Sequence, residues 1–298
     1  MSFRAIDTMS RPQYADPEMA KGLFEAYEYR VLAKTTFGGL TEKMGLGDDE
    51  LWKVLTVLGN DSLEATVEEM DEVGVEYMFM DQNMLWSQRD SRLITAASVE
   101  ELAEMADRSD GRIVPGVGYN PNRITESIER LERAVKDLGF KYVWFHPMSW
   151  GLKPSDSECY PLYSKCVELD VPVTIQTGQS AEPLTSEPGR PMYADEVAID
   201  FPELELVLSH TGWPWTSEWC SMLWRHPNVY GNVGAYYPEF MPDEQVEFID
   251  SGRIREKVLW ATNGLDLGRH RAEFEELDLR DETRRRVLKE NAVELFDL

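Results

Sequence analysis

Two of the four histidines end apolar runs. His146 closes KYVWFHP and His210 closes LELVLSHTGWP. An imidazole is the side chain whose ordinary pKa lies nearest neutrality, so a histidine held at the mouth of a pocket suits proton transfer. Arg11, four residues past Asp7, offers a planar guanidinium that can grip a carboxylate or a developing oxyanion. Gln176 in VTIQTG, Asn263 in ATNG and Asn120 in GYNP carry amides that both donate and accept, which fits them to place a carbonyl or a water. Trp213, in the turn after His210, can supply an apolar wall. Each has a plainer reading: His210 as a hydrogen-bonded core residue, His146 as part of a strand-ending turn, Arg11 as a rim ion pair, and Gln176 and Asn263 as filling. His226 precedes an apolar run and reads as structural, and His270 falls in a charged loop. Trp215 and Trp219, at helical spacing in the cluster with Trp224, and the cluster Met78, Met80 and Met84, read as packing.

The elements that must carry these groups alternate with a regular beat. Apolar runs at 3–6, 75–80, 112–117, 141–145, 171–175, 204–209, 228–232 and 257–261 predict eight strands. Amphipathic stretches at 62–73, 99–107, 123–138, 160–169, 193–200, 215–225, 243–250 and 281–296 predict helices between most of them and after the last. Strands buried on both faces read as continuous apolar runs, as several do here. The pattern predicts one α/β domain over 1–298, a (β/α)8 TIM barrel with long loops after strands 1 and 5, at 7–58 and 178–191. In such a barrel the loops that follow strands form the active-site rim. The competing doubly wound sheet would carry a glycine-rich turn after its first strand, whereas Ile6 is followed by DTMSRP.

Composition narrows the classes. A net charge of −25 repels phosphate backbones and argues against nucleic acid as a partner. It suits a high-salt interior or simply an acidic enzyme. Three cysteines without metal or redox spacing, no signal peptide and no apolar run of membrane length point to a cytoplasmic protein acting on a small molecule.

The segments FPELELVLSHTGWP (201–214), HPNVYGNVG (226–234) and KENAVELF (289–296) resemble the second amidohydrolase family. That family includes aminocarboxymuconate-semialdehyde decarboxylase, γ-resorcylate decarboxylase and 2-pyrone-4,6-dicarboxylate lactonase. The resemblance runs from AID at 5–7 to the last helix, and implies a barrel, a possible homodimer and a hydrolase or lyase. It also exposes departures. Where metal-holding members carry His-x-His after strand 1, this chain has Met9 and Arg11. The strand-5 histidine is matched by Gln176 and the strand-8 aspartate by Asn263, so only His210 of that constellation remains. Neutral amides, a thioether and a fixed cation make poor surroundings for zinc, although His146, His210 and Asp7 stay open as a residual site.

The expected enzyme is therefore metal-independent and uses no cofactor. His210, Arg11 and Asn263 are its catalytic groups, and Gln176, His146, Asp7, Trp213 and Asn120 contact the substrate. The first expected reaction is hydrolysis of an activated lactone, ester or vinylogous β-dicarbonyl bond in a small carboxylated or aromatic metabolite. Non-oxidative decarboxylation, hydration or isomerisation by the same residues is the alternative, and a non-catalytic binding barrel is the third.

Overall fold

A computed structural model describes residues 3–298; Met1 and Ser2 lie outside them. All eight predicted strands are present: β1 (Ala5–Ser10), β2 (Val75–Asp81), β5 (Ile113–Gly118), β6 (Tyr142–Phe145), β7 (Val173–Gln176), β8 (Leu206–Ser209), β9 (Val229–Asn232) and β10 (Val258–Leu259). They form one parallel sheet in the order β1-β2-β5-β6-β7-β8-β9-β10. The seam between the first and last strands is closed by Thr8 N–H donating to the Trp260 carbonyl at 3.0 Å and Asn263 N–H donating to the Met9 carbonyl at 2.7 Å. The architecture is the expected TIM barrel.

The two-residue period of each strand sorts its side chains. Residues such as Val143, Phe145, Leu206 and Leu208 face outward and pack beneath the helices. Ile6, Phe79, Val114, Tyr142, Trp144 and Val207 fill the interior. From the last helix (Asn291–Phe296), Phe296 meets Phe79 with ring centroids 4.6 Å apart and Tyr142 at 6.3 Å. Tyr142 needs Gly116 beside it, because a Cβ there would lie 2.3 Å from the ring.

Two expectations change and one unanticipated element appears. The stretch 7–58 is not irregular: it folds into short helices, including Tyr27–Thr35 and Gly38–Met44, whose apolar side chains extend the interior core. The segment 82–98 contains a small antiparallel hairpin, β3 (Leu85–Ser87) with β4 (Arg92–Ile94). His270 belongs to a helix, Leu267–Glu276, where it is fully buried and accepts from Trp260 Nε1 at 2.9 Å. No helix among the described residues is long and apolar enough to cross a membrane.

Candidate active site

A cavity of about 350 Å³ opens at the C-terminal ends of the strands. Its floor is polar and includes Arg11, His146, Gln176, His210 and Asn263. Its opposite wall is apolar, built from Phe24, Leu32, Phe37 and Leu55 of the insertion together with Leu85 and Leu265.

Arg11 follows a register shift at the end of β1 and turns into the barrel. Its Nη1 donates to both carboxylate oxygens of Asp81, at 2.8 and 2.7 Å, and its Nε donates to Asn263 Oδ1 at 3.0 Å. The guanidinium carbon lies 4.1 Å from the centre of the Trp144 ring, a cation–π contact. Both members of the ion pair are buried. Burial raises the Asp81 carboxyl above its usual range, against the pull of Arg11 and the Asn83 N–H. Two edges of the guanidinium are thereby fixed, and Nη2, on a residue that lines the cavity, is left without a partner among the described residues.

Both imidazoles are held neutral. Burial lowers His146 to about 3, and the Arg11 charge pushes the same way. Burial also drives His210 well below its usual value, reinforced by Arg11 and then His146. His146 Nδ1 accepts Ser149 N–H at 3.2 Å, so its proton sits on Nε2, 3.4 Å from Ser180 Oγ. The Ser180 hydroxyl in turn donates to Glu182, giving a chain from the buried ring to a half-buried carboxylate on the loop after β7. His210 Nδ1 is buried and unpaired.

Backbone strain gathers at the same rim. Asn83 (φ 45°), His210 (φ 70°), Ala235 (φ 69°) and Asn263 (φ 58°) all line the cavity in the left-handed region that non-glycine residues avoid. Such strain persists where the surroundings over-determine it, typically at functional sites. At the adjacent Gly264, φ is +82° and a Cβ would fall 2.2 Å from the Tyr14 ring, so only glycine lets Tyr14 form that part of the wall.

Of the eight predicted site residues, the structure brings Arg11, His146, Gln176, His210 and Asn263 together and leaves three outside the cavity lining. Asp7 is fully buried and accepts from Met9 N–H, Thr262 N–H and the Thr262 hydroxyl. Asn120 caps a short helix by accepting Asn122 N–H at 3.0 Å. Trp213 is 42% exposed and leans on Tyr236. His226 is structural as expected, with Nε2 2.7 Å from Asp195. Sequence reasoning missed Trp144, the tyrosines Tyr14 and Tyr29, and the Ser180–Glu182 pair. Trp144 had a legible signal, since Tyr142, Trp144 and His146 share one strand parity; Tyr14 and Tyr29 sit in helical segments too short to show a period, and Ser180 and Glu182 lie on a loop.

The metal implied by the family resemblance does not fit these residues. Arg11 places a guanidinium on the floor, its neighbouring carboxylate Asp81 is engaged with it, and Asp7 is turned to Thr262. Among the described residues, no three His, Cys, Asp or Glu side chains converge as metal ligands do. His146, His210 and Asp7, considered above as a residual site, are not among such a group.

Comparison with known proteins agrees with the architecture. Over 105 residues the chain is 35% identical to 2-keto-4-carboxy-3-hexenedioate hydratase of Sphingobium sp., which covers 30% of this chain and 31% of that protein. Over 108 residues it is 26% identical to protein fluG of Emericella nidulans, covering 34% of this chain and 12% of the relative. The matches thus span less than a third of either curated relative. An uncharacterised TIM-barrel protein of Bordetella bronchiseptica superposes with a TM-score of 0.75 at 24% identity over 99% of both chains. The 2,6-dihydroxybenzoate decarboxylase of Rhizobium does so at 0.67 and 16%, again over 99% of both. A manganese-bound 5-carboxyvanillate decarboxylase of Novosphingobium aromaticivorans gives 0.68 at 15%, over 100% of this chain and 98% of that one. These last three likenesses are of fold. The Amidohydrolase family model matches residues 82–298, which include every strand-end group of the cavity except Arg11, and the chain belongs to that family.

Proposed function

We propose that this amidohydrolase-family enzyme is a metal-independent lyase that decarboxylates or hydrates a small carboxylated enone or aromatic substrate through an enolate. The observation that carries this reading is the Arg11 guanidinium, pinned by Asp81 and Asn263 with Nη2 free, beside two neutral imidazoles. In decarboxylation the C–C bond to the carboxylate breaks, its electron pair flows to a carbonyl oxygen, carbon dioxide leaves, and the carbon takes a proton from water. In hydration the water oxygen bonds to the β-carbon of an enone, the π pair moves to the same carbonyl oxygen, and the α-carbon then takes the proton. Both routes put negative charge where Arg11 Nη2 and the Gln176 amide can meet it, and a prepositioned donor of this kind contributes about 10²–10³-fold. His210 binds and orients the water.

Hydrolysis, the first expectation from sequence, asks more of these groups. An imidazole lowered to about 3, as His146 is, is a poor base for water with a pKa near 15.7, and burial pushes His210 well below its usual value as well. Decarboxylation needs no such base, because the C–C bond being broken supplies the electrons, and this favours decarboxylation over hydration among the two routes. The partial match to a hydratase and the fold shared with decarboxylases lie in the same direction.

The test is turnover of a panel of aromatic and enone monocarboxylates in D₂O with a chelator present. Carbon dioxide release or water uptake, with one deuterium on carbon, is expected, and Arg11→Met should lower the rate at least about 100-fold. Hydrolysis products free of carbon-bound deuterium would restore the hydrolytic reading.

A further inference from the structure

The charges around the cavity restrict what can enter it. Among the described residues Arg11 is the one cation in its lining, and Asp81 already balances that charge across a direct, buried contact. Both imidazoles are uncharged at neutral pH, as are Tyr14, pushed up to about 12 by burial, and Tyr29, pushed well up by the same cause. Gln13, Asn83, Gln176, Gln179 and Asn263 add dipoles without charge. The remaining ionic group is Glu182, half-buried on the loop after β7, with one oxygen held by the Ser180 hydroxyl. Facing the polar floor is the aromatic and aliphatic wall donated by the insertion, including Phe24, Leu32, Phe37 and Leu55.

We infer that Glu182 and the pre-neutralised Arg11 together make the site selective for monoanionic substrates carrying an apolar arm, and that Glu182 is the residue that rejects a second carboxylate. One carboxylate, or one enolate oxygen, is met by the free Nη2 edge. A second finds no unpaired cation. It must either enter the apolar wall, where an unpaired charge is strongly disfavoured, or approach Glu182, where like charges at close range repel in a medium of low effective dielectric. The apolar arm gains by displacing water from Phe37 and Leu32. This sets the chain apart from a polycarboxylate enzyme such as one acting on a carboxyhexenedioate, even though it shares sequence with a protein so named.

The inference rests on the proposed site but not on its chemistry, so binding tests it apart from turnover. Isothermal titration calorimetry of the full chain at pH 7 would compare benzoate, 4-propylbenzoate and benzene-1,3-dicarboxylate. Benzoate should bind at least about tenfold tighter than the dicarboxylate, and 4-propylbenzoate tighter still. Glu182→Gln should bring the dicarboxylate to within about threefold of benzoate while leaving benzoate itself little changed. Phe37→Ala should erase most of the gain from the propyl arm and leave the benzoate-to-dicarboxylate ratio as it was. Equal or tighter binding of the dicarboxylate by the native chain overturns the inference, as does binding of none of the three. If the monoanions bind in the expected order and no carbon dioxide or carbon-bound deuterium is ever formed, the lyase reading fails and the selectivity stands. If dicarboxylates bind well and are decarboxylated, the selectivity fails and the lyase reading stands.

Discussion

The Asp7 carboxylate accepts hydrogen bonds from both the backbone N–H of Thr262, at 3.0 Å, and its hydroxyl, at 2.6 Å, fastening the first strand of the barrel to the segment after the last. Asp7 is a staple at the seam, not a ligand for substrate. Burial nevertheless raises it to about 7, because the three bonds it accepts only partly replace lost hydration. The folded chain therefore holds this proton more tightly than the unfolded chain, whose aspartate titrates near 3.9.

The consequence is a pH dependence of unusual sign for an aspartate. Its contribution is full below about pH 4 and is lost as pH rises through about 7, a span on the order of 4 kcal/mol. His146 and His210 act in the opposite sense. Held neutral by burial, they destabilise the fold as pH falls below about 6.5, the loss from His146 continuing to about 3. Asp7→Asn should remove the first effect and keep the second. Urea denaturation from pH 4 to 8 should show the variant's stability rising relative to the native chain over that window. A constant difference between the two would sink this assignment.

The Arg11–Asp81 contact predicts a second asymmetry. Removing one partner leaves a buried charge alone, so Asp81→Asn should cost about 3–5 kcal/mol. Replacing both, as Arg11→Met with Asp81→Leu, should recover most of that loss, since paired apolar groups carry no desolvation penalty. Denaturant midpoints for the two variants check this. A double variant as unstable as Asp81→Asn would mean that the pair is held for packing on Trp144 rather than for charge.

The strands were legible because each is a buried apolar run, and most helices because their faces repeat every three to four residues. The floor was legible for a related reason: in a barrel, the first polar residue past a strand faces the rim, which picked out His146, Gln176, His210 and Asn263. The same rule overreached at Asp7, which lies inside β1 before a register shift sends Arg11 inward. It overreached again at Asn120 and Trp213, where the chain turns away to cap a helix or meet solvent. The apolar wall was invisible. Phe24, Leu32 and Phe37 sit in helices of four to nine residues, or beside them, too short for a period to emerge. The Ser180–Glu182 link to His146 joins positions 34 or more residues apart with no pattern to announce it.

The last prediction concerns what keeps a cation out. If Arg11 and the amides at 176 and 263 make the floor unsuitable for a divalent ion, the native chain should gain no thermal stability from added zinc and lose no turnover to a chelator. Supplying donors around His210 should reverse that. The combined substitution Met9→His, Arg11→His, Gln176→His and Asn263→Asp replaces a thioether, a cation and two neutral amides with imidazoles and a carboxylate, and it frees Asp81 from its ion pair. A metal at about 100 times its dissociation constant stabilises by about 2.7 kcal/mol. In a chain of this size that raises the melting temperature by roughly 4 °C. Scanning calorimetry of both proteins with and without zinc reads the difference directly. A comparable zinc-dependent rise in the native chain would mean that the guanidinium yields its place, and the metal-independent reading of the site would fall.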